Sequence, residues 1–253
     1  MWIRLRQIAL VATELEPVVS DFHHVLGLDV AYRDPEVATF GLHNAVMPAG
    51  EQFIEVVSPT GEGTAGGRYL DRRGGDGGYM VIMQCSDHAP VKARVEAAGV
   101  RKVMEHDGEH YQIMQLHPRD TGGSFMEIDV QAGGESMDGP WEPAGPQWQE
   151  ARTDVVQAIV TADIQADDPE RLAQRWSEIL GIQLDLVAGV PTIGLDNAAL
   201  SFVPVRDGRG EGLRGIGVRV PDAAAIVEAA TARGCQVEDG RVLLGGLWVT
   251  PVD

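Results

Sequence analysis

The chain of 253 residues is 44% hydrophobic, enough to bury a sizeable core in one large or two medium domains. Its 38 acidic and 20 basic residues give a formal net charge of -18, which opposes binding to nucleic-acid phosphates or anionic lipids and favours a neutral or cationic ligand. Cys85 and Cys235 lack the spacing of a zinc site, and no apolar run approaches membrane-spanning length, so we expect a cytoplasmic protein without a membrane span.

The first predicted elements form the order strand, helix, strand, strand, strand. Gln7 to Val11 predicts a strand, and Glu16 to Val25 predicts a helix with apolar residues at helical spacing that ends at Gly27. Three more β-like runs separated by turn signals follow: Asp29 to Arg33, Ala38 to Leu42 and Gln52 to Val57.

The same βαβββ pattern returns three times along the chain. Its predicted helices are Ala89 to Ala98, Pro169 to Leu180 and Ala223 to Ala232, and the third copy begins with a strand near Val155-Val156-Gln157. Residues 133–152 are rich in Gly, Pro and acidic side chains, which is typical of a linker.

These repeats predict an α+β fold of four βαβββ modules with curved mixed sheets. The predicted organisation is a first domain at 1–132 (modules 1–75 and 76–132), the linker at 133–152, and a degenerate second domain at 153–253. A single module would expose one face of its sheet, so neighbouring modules should pair around a shared interior. Ordinary α+β sandwiches with filled cores would show the same periodicity.

The first copy resembles the vicinal-oxygen-chelate superfamily, which includes glyoxalases, bleomycin-resistance proteins and dioxygenases. The resemblance rests on the strand Gln7 to Val11, the pair Asp21-Phe22 and the motif Leu26-Gly27-Leu28. The segment Leu116 to Glu127 is similar to the one that precedes the last metal ligand of methylmalonyl-CoA epimerases and close relatives. The resemblance implies paired modules that form two glyoxalase-like domains around a small-molecule cleft.

In metal-binding members of that superfamily, the ligands lie on the first and last strands of each module. The resemblance transfers these positions to Gln7, Glu55, Met80 and Glu127. Because the thioether of Met80 is a soft ligand and the usual histidines are absent, the expected cofactor is either none or a weakly held divalent metal on Gln7, Glu55 and Glu127. The positions transferred to the second half are Gln157, Phe202, Gly215 and Val249, which predicts a metal-free half.

Glu55 and Glu127 are the predicted catalytic residues. Each lies within an apolar strand run, where a bare charge would be costly, and two carboxyls that face one another there should have a raised pKa suited to acid–base work. Rim carboxylates satisfied by water or backbone donors are the alternative.

Five residues are predicted to contact a ligand. Gln7 and Met80 come from the transferred positions, and His43 follows because it ends a strand and can point into the cleft, although histidines there more often cap turns. His117 belongs to the epimerase-like segment, yet His-Pro-Arg-Asp also makes a good turn. Arg72 belongs to an arginine cluster that can clamp an anionic group or pair with nearby aspartates.

Two functions follow from these residues. The first is an enzyme that transforms a small organic molecule by isomerase-like or lyase-like proton transfer, with Glu55 and Glu127 as the acid–base pair. The second is a non-catalytic binding or resistance protein of the bleomycin-resistance type. A scaffold with filled clefts is a third possibility, and the chain is expected to act as a monomer or homodimer on a small-molecule ligand.

Overall fold

The computed structural model describes residues 1–253, and the first half of the chain forms a seven-stranded mixed sheet. Its strands are β1 (Ile3–Val11), β2 (Leu42–Ala49), β3 (Gln52–Pro59), β4 (Gly77–Cys85), β5 (Lys102–Asp107), β6 (Tyr111–Leu116) and β7 (Phe125–Gln131). Their spatial order is β2-β3-β1-β4-β7-β6-β5.

The second half forms an eight-stranded mixed sheet with the same central pairing. Its strands are β8 (Ala158–Ala166), β9 (Leu184–Val187), β10 (Val190–Gly194), β11 (Ala199–Pro204), β12 (Gly212–Arg219), β13 (Val237–Glu238), β14 (Arg241–Leu244) and β15 (Leu247–Val252). Their order is β13-β14-β15-β12-β8-β11-β10-β9. In each sheet the first strand pairs in parallel with one neighbour and antiparallel with the other, as β1 does with β3 and β4 and β8 does with β11 and β12. This repetition confirms the predicted α+β class and the two glyoxalase-like sheets.

Six α-helices connect the strands. They are α1 (Leu15–Leu26), α2 (Ala65–Arg73), α3 (His88–Ala97), α4 (Pro118–Thr121), α5 (Pro169–Leu180) and α6 (Ala223–Arg233). α1 and α5 both end at a glycine in the left-handed region, Gly27 at φ 63° and Gly181 at φ 67°, a conformation that other residues adopt with strain. No helix has the length and apolar character needed to cross a membrane.

One continuous core joins the two sheets. It contains 50 buried residues from both sheets and from α1, α3, α5 and α6, among them Leu10, Phe22, Ile164 and Trp176. We call the face of each sheet that points away from this shared core its distal face. Residues two apart on a strand share a face, so Gln7, Ala9 and Val11 of β1 lie on the distal face of the first sheet, opposite the core residues Ile8 and Leu10.

Three predicted strands differ from the structure. Residues Pro35–Phe40 form a 3-10 helix instead of the strand expected near Ala38, because Pro35 favours a first helical turn and the Asp34 side chain accepts a hydrogen bond from the backbone N–H of Glu36 at 2.8 Å. The run Asp29 to Arg33 makes only one isolated bridge, between Tyr32 and Val46. The third module begins its strand at Ala158, three residues after Val155.

Residues 133–152, which we call the strap, pack firmly onto the distal face of the first sheet. Trp141 and Trp148 are both 1% exposed, and the ring of Phe53 lies 5.0 Å from that of Trp148. The strap connects β7 to β8, so the strands divide between the halves as the sequence suggests. Because both halves share one core, their independence as domains stays a prediction.

Candidate functional site

The strand register brings the four transferred positions to the distal face of the first sheet. Glu55 of β3 and Met80 of β4 lie on either side of Ala9 in one row across the sheet. Gln7 and Glu127 lie on either side of a β4 residue in the next row. Four neighbouring strands therefore present these side chains to one surface.

Two side-chain amides hold the Glu55 carboxyl. Gln7 Nε2 donates to Glu55 Oε2 at 2.9 Å, and Asn44 Nδ2 donates to Oε1 at 2.7 Å. The indole N–H of Trp141 in turn donates to Gln7 Oε1 at 2.8 Å, so the strap fixes the orientation of that amide. Burial raises the pKa of Glu55, while the bonds from Asn44 and Gln7 oppose this rise because they favour the charged form.

Glu127 lies on the other side of the same surface. Burial raises the pKa of its carboxyl to about 7, and the negative charge of Glu55 adds to this rise. Gln115 Nε2 donates to Glu127 Oε2 at 3.0 Å, and this bond and a side-chain hydrogen bond with Asp129 limit the increase. The carboxyl therefore changes its protonation near neutral pH, as an acid–base group must.

Asp129 is the acidic partner of Glu127. It is fully buried, and burial and the charge of Glu127 raise its pKa well above the ordinary range. Tyr111 donates its hydroxyl to Asp129 Oδ2 at 2.5 Å, whereas Oδ1 has no partner of normal geometry. Because its pKa lies well above the ordinary range, burial favours the protonated form of Asp129 on the same face as Glu127.

The structure does not pair Glu55 with Glu127 in the way the sequence suggests. Three strand spacings and a two-residue step along the strands separate their Cα atoms, roughly 16 Å, and each has hydrogen-bond partners of its own. The two carboxyls thus lie at opposite sides of one surface. Asp129 was not among the predicted site residues, although its position two residues after Glu127 signals a shared face.

Aromatic rings and the strap cover most of this surface. The rings of Tyr79 and Phe125 lie 5.0 Å apart, and Tyr69 lies 4.9 Å from Tyr79. Glu55 and Glu127 each keep 8% of their surface accessible, so a narrow approach to both remains. Both carboxyls are therefore largely enclosed.

The other three predicted ligand contacts lie elsewhere. His43 is exposed and points to the opposite face of β2 from Asn44. Asn44, not His43, points to the distal face, where it contacts Glu55. His117 caps α4, where its Nδ1 accepts from the Arg119 backbone N–H at 3.2 Å, so the turn interpretation of this histidine is the one the structure supports. Arg72 is exposed, with its guanidinium 5.0 Å from the Tyr69 ring.

The arginine cluster does not pair with the neighbouring aspartates. Arg73 is buried and donates to the backbone carbonyls of Arg209, Gly210 and Glu211, which ties α2 to the second half. Arg68 donates to a carbonyl within its own turn. Of the cluster, only Arg68 and Arg72 remain exposed near the aromatic rings.

The donor set does not fit a divalent cation. Gln7 Oε1 accepts from Trp141, and both oxygens of Glu55 accept from amides, so a metal would have to displace all three bonds. No group of three His, Cys, Asp or Glu side chains is arranged to hold a metal ion.

A polar surface recess lies away from these residues. It measures about 470 Å³ between α4 and α5, and only polar residues and a glycine line it, among them Arg119, Arg171 and Glu178. A recess without apolar walls is not typical of a small-molecule pocket.

The second-half positions that the sequence suggested need correction. Phe202 and Val249 are fully buried in the shared core, and Gln157 precedes β8. Gly215 is the one position transferred correctly. Each sheet has a β-bulge at the same place in its central strand pair, and superposing the two bulges aligns Ala9 with Asp163. In this alignment Gln7 corresponds to Thr161, Glu55 to Ser201, Met80 to Gly215 and Glu127 to Thr250.

Known proteins with similar sequences or structures include two epimerases and a synthase. The chain is 24% identical over 130 residues to ethylmalonyl-CoA/methylmalonyl-CoA epimerase of Cereibacter sphaeroides, which covers 50% of this chain and 96% of the relative. The methylmalonyl-CoA epimerase structure from Mycobacterium tuberculosis is 23% identical, with 50% of this chain and 87% of that chain covered and a TM-score of 0.44. A mutant of 4-hydroxymandelate synthase from Streptomyces coelicolor is 15% identical, covers 91% of this chain and 75% of its own, and has a TM-score of 0.67. A model of the glyoxalase-like domain matches residues 8–180, and the chain therefore belongs to the glyoxalase-like domain family.

Proposed function

We propose that the protein catalyses an isomerase-type proton transfer on a small organic molecule at the distal face of the first sheet. The observation that carries this proposal is the burial of the Glu127 and Asp129 carboxyls on one face of β7, which raises the pKa of Glu127 to about 7. A carboxyl with this pKa has both protonation states available at neutral pH, which is what general acid–base catalysis needs.

Glu127 and Glu55 can act on opposite sides of one bound molecule. In its charged form, Glu127 takes a proton from a carbon next to a carbonyl group, and Asp129 stabilises the carboxylate before that step. Glu55, whose pKa burial raises, returns a proton from the other side once the bound molecule displaces one of its two amide donors.

The curated relative supports this reaction class because its name is that of an epimerase. Three buried carboxyls and the net charge of -18 favour a neutral or cationic group at the reacting centre. The exposed Arg68 and Arg72 can meet an anionic end of the molecule outside the cleft. We keep a cytoplasmic location and a monomer or homodimer as part of the proposal.

Hydrogen–deuterium exchange tests the reaction directly. We expect the protein in D2O to exchange the α-proton of methylmalonyl-CoA or ethylmalonyl-CoA, the compounds in the relative's name, and the Glu127→Gln variant to lose on the order of 10²-fold or more of that rate. Glu62→Gln, in an exposed turn, is the matched control and should exchange at the wild-type rate. Equal rates in wild type and Glu127→Gln would refute the role of Glu127.

A second candidate is a binding protein without chemistry, of the bleomycin-resistance type. It is favoured by the bonds that hold both oxygens of Glu55 and by the strap that covers Gln7. In that case the same esters, or a cationic aromatic compound, should bind saturably while no deuterium enters them.

A further inference from the structure

The distal face of the second sheet carries a cluster of polar side chains, whereas the distal face of the first sheet carries a mainly apolar cluster. The two core clusters of the protein are the shared core and the apolar cluster on the first distal face, which runs from Ala9 to Trp148. The second distal face therefore has neither a buried apolar cluster nor a strap of its own. Thr161, Asp163 and Ser201, from β8 and β11, are half-buried on it.

Asp163 lies at the centre of this face. It occupies the position of Ala9 in the first sheet, between Ser201 of β11 and Gly215 of β12. Burial raises the pKa of its carboxyl, and the charges of Arg214 and Arg241 oppose that rise. No protein side chain donates a hydrogen bond to this carboxyl, and neither arginine forms an ion pair with it.

Arg214 is the second unsatisfied group. It is the extra residue of a β-bulge, between Leu213, which pairs with Ile164, and Gly215, which pairs with Asp163. Leu213 points into the core, so the bulge turns Arg214 toward the distal face. Its Nε is buried without a hydrogen-bond partner, and its guanidinium forms no ion pair. A guanidinium left unpaired at a partly closed surface is a binding group for an anion.

Gly215 and Trp248 shape the space beside these two charges. A Cβ at Gly215 would approach the Trp248 carbonyl oxygen to 2.7 Å and the Trp248 Cβ to 3.2 Å, so the glycine lets Trp248 pack closely beside the strand pair that holds Asp163. Trp248 is half-buried, and the Arg241 guanidinium lies 5.0 Å from its ring. The ring offers an apolar wall within reach of the charged pair.

We propose that this cluster is a second binding site, for a small carboxylate that also carries a hydroxyl or amino group. The fork of Arg214 binds the carboxylate through two parallel N–H bonds, and Asp163 accepts a hydrogen bond from the hydroxyl or amino group. Trp248 contacts the carbon skeleton. The site uses none of the residues of the proposed reaction, so either proposal can fail without the other.

Glycolate and L-serine are the probes, and acetate and ethanolamine are the comparisons because each lacks one of the two groups. We expect saturable 1:1 binding of glycolate or L-serine to the full chain by calorimetry, with amide shifts at Gly215 and Thr161 in NMR spectra. Arg214→Gln and Asp163→Asn should each weaken binding roughly tenfold or more, since each removes a charge-assisted hydrogen bond. Arg219→Gln, an exposed arginine of the same strand, should leave it unchanged.

Three results would overturn the site. They are failure of both probes to bind, acetate binding as tightly as glycolate, and wild-type affinity in Asp163→Asn. Asp163→Asn also tests the site if Arg214→Gln does not fold. Binding that persists in Glu127→Gln would support the independence of the two surfaces.

Discussion

Replacing Glu127 with Gln removes the carboxyl whose pKa burial raises from its ordinary value of 4.5 to about 7. Between these values the folded protein binds more protons at this position than the unfolded chain does. The stabilising contribution is therefore fully present below about pH 4.5 and is lost as the pH rises through about 7. A pKa difference of this size corresponds to about 3 kcal/mol in the free energy of unfolding.

Urea unfolding at about pH 5 and about pH 8 measures this loss. We expect the wild-type protein to lose about 2.5 kcal/mol more than Glu127→Gln between the two conditions, because the amide cannot ionise and a small part of the contribution is already lost at about pH 5. Glu55 and Asp129 also have raised pKa values and stay in both proteins, so the difference reports on Glu127 and its contact with Asp129. The exposed control Glu62→Gln should follow the wild type.

The same pH dependence in Glu127→Gln and the wild type would refute the assignment. That result would mean that Glu127 ionises in the folded protein as it does in the unfolded chain. Its burial beside Asp129 would then not change the free energy of unfolding with pH, and Glu127 would not be suited to act as a base near neutral pH.

Three further variants test the contacts around the site by urea unfolding. Tyr111→Phe removes the hydroxyl that donates to Asp129 at 2.5 Å and should lower the free energy of unfolding by about 1–3 kcal/mol; an unchanged midpoint would contradict that bond. Trp141→Phe keeps a ring on the strap but leaves Gln7 Oε1 buried without its donor, so a similar loss is expected, and a wild-type midpoint would show that the indole bond is not formed. Gln52→Ala removes two bonds to the second half, at 2.7 and 2.9 Å, and should destabilise the whole chain by roughly 1–3 kcal/mol in a single transition; two separate transitions would argue against one shared core.

Local signals predicted the helices well. The helix α5 begins at Pro169 and ends at Leu180, as the proline at its first turn and the following glycine suggest. The start and the end of a helix depend on the backbone conformation of a few neighbouring residues, so proline and glycine at these positions predict them directly. The same reasoning placed Gly27 after α1.

Long-range contacts were not visible in the same way. Trp141 reaches Gln7 from 134 residues further along the chain, within a segment whose glycines and prolines suggested only a linker. Two tryptophans in such a segment are nevertheless a signal, because large aromatic side chains bury 150–250 Å² each and rarely remain in a flexible connection. The glycine and proline content of the strap predicted its irregular backbone, but it did not predict that Trp141 and Trp148 cover the distal face of the first sheet.

The remaining error concerns strand register, where a shift of one residue moves every side chain to the other face of a sheet. Phe202 was expected where Ser201 lies, and that single step exchanged a core ring for a half-buried hydroxyl. Two residues that are two positions apart on one strand share a face in any register, so a register error does not separate them. Any register that places Glu127 on the distal face places Asp129 there too, so the acidic pair could have been predicted from the strand alone. In this fold, same-face pairs within one strand are therefore a safer guide to chemistry than single positions matched between repeats.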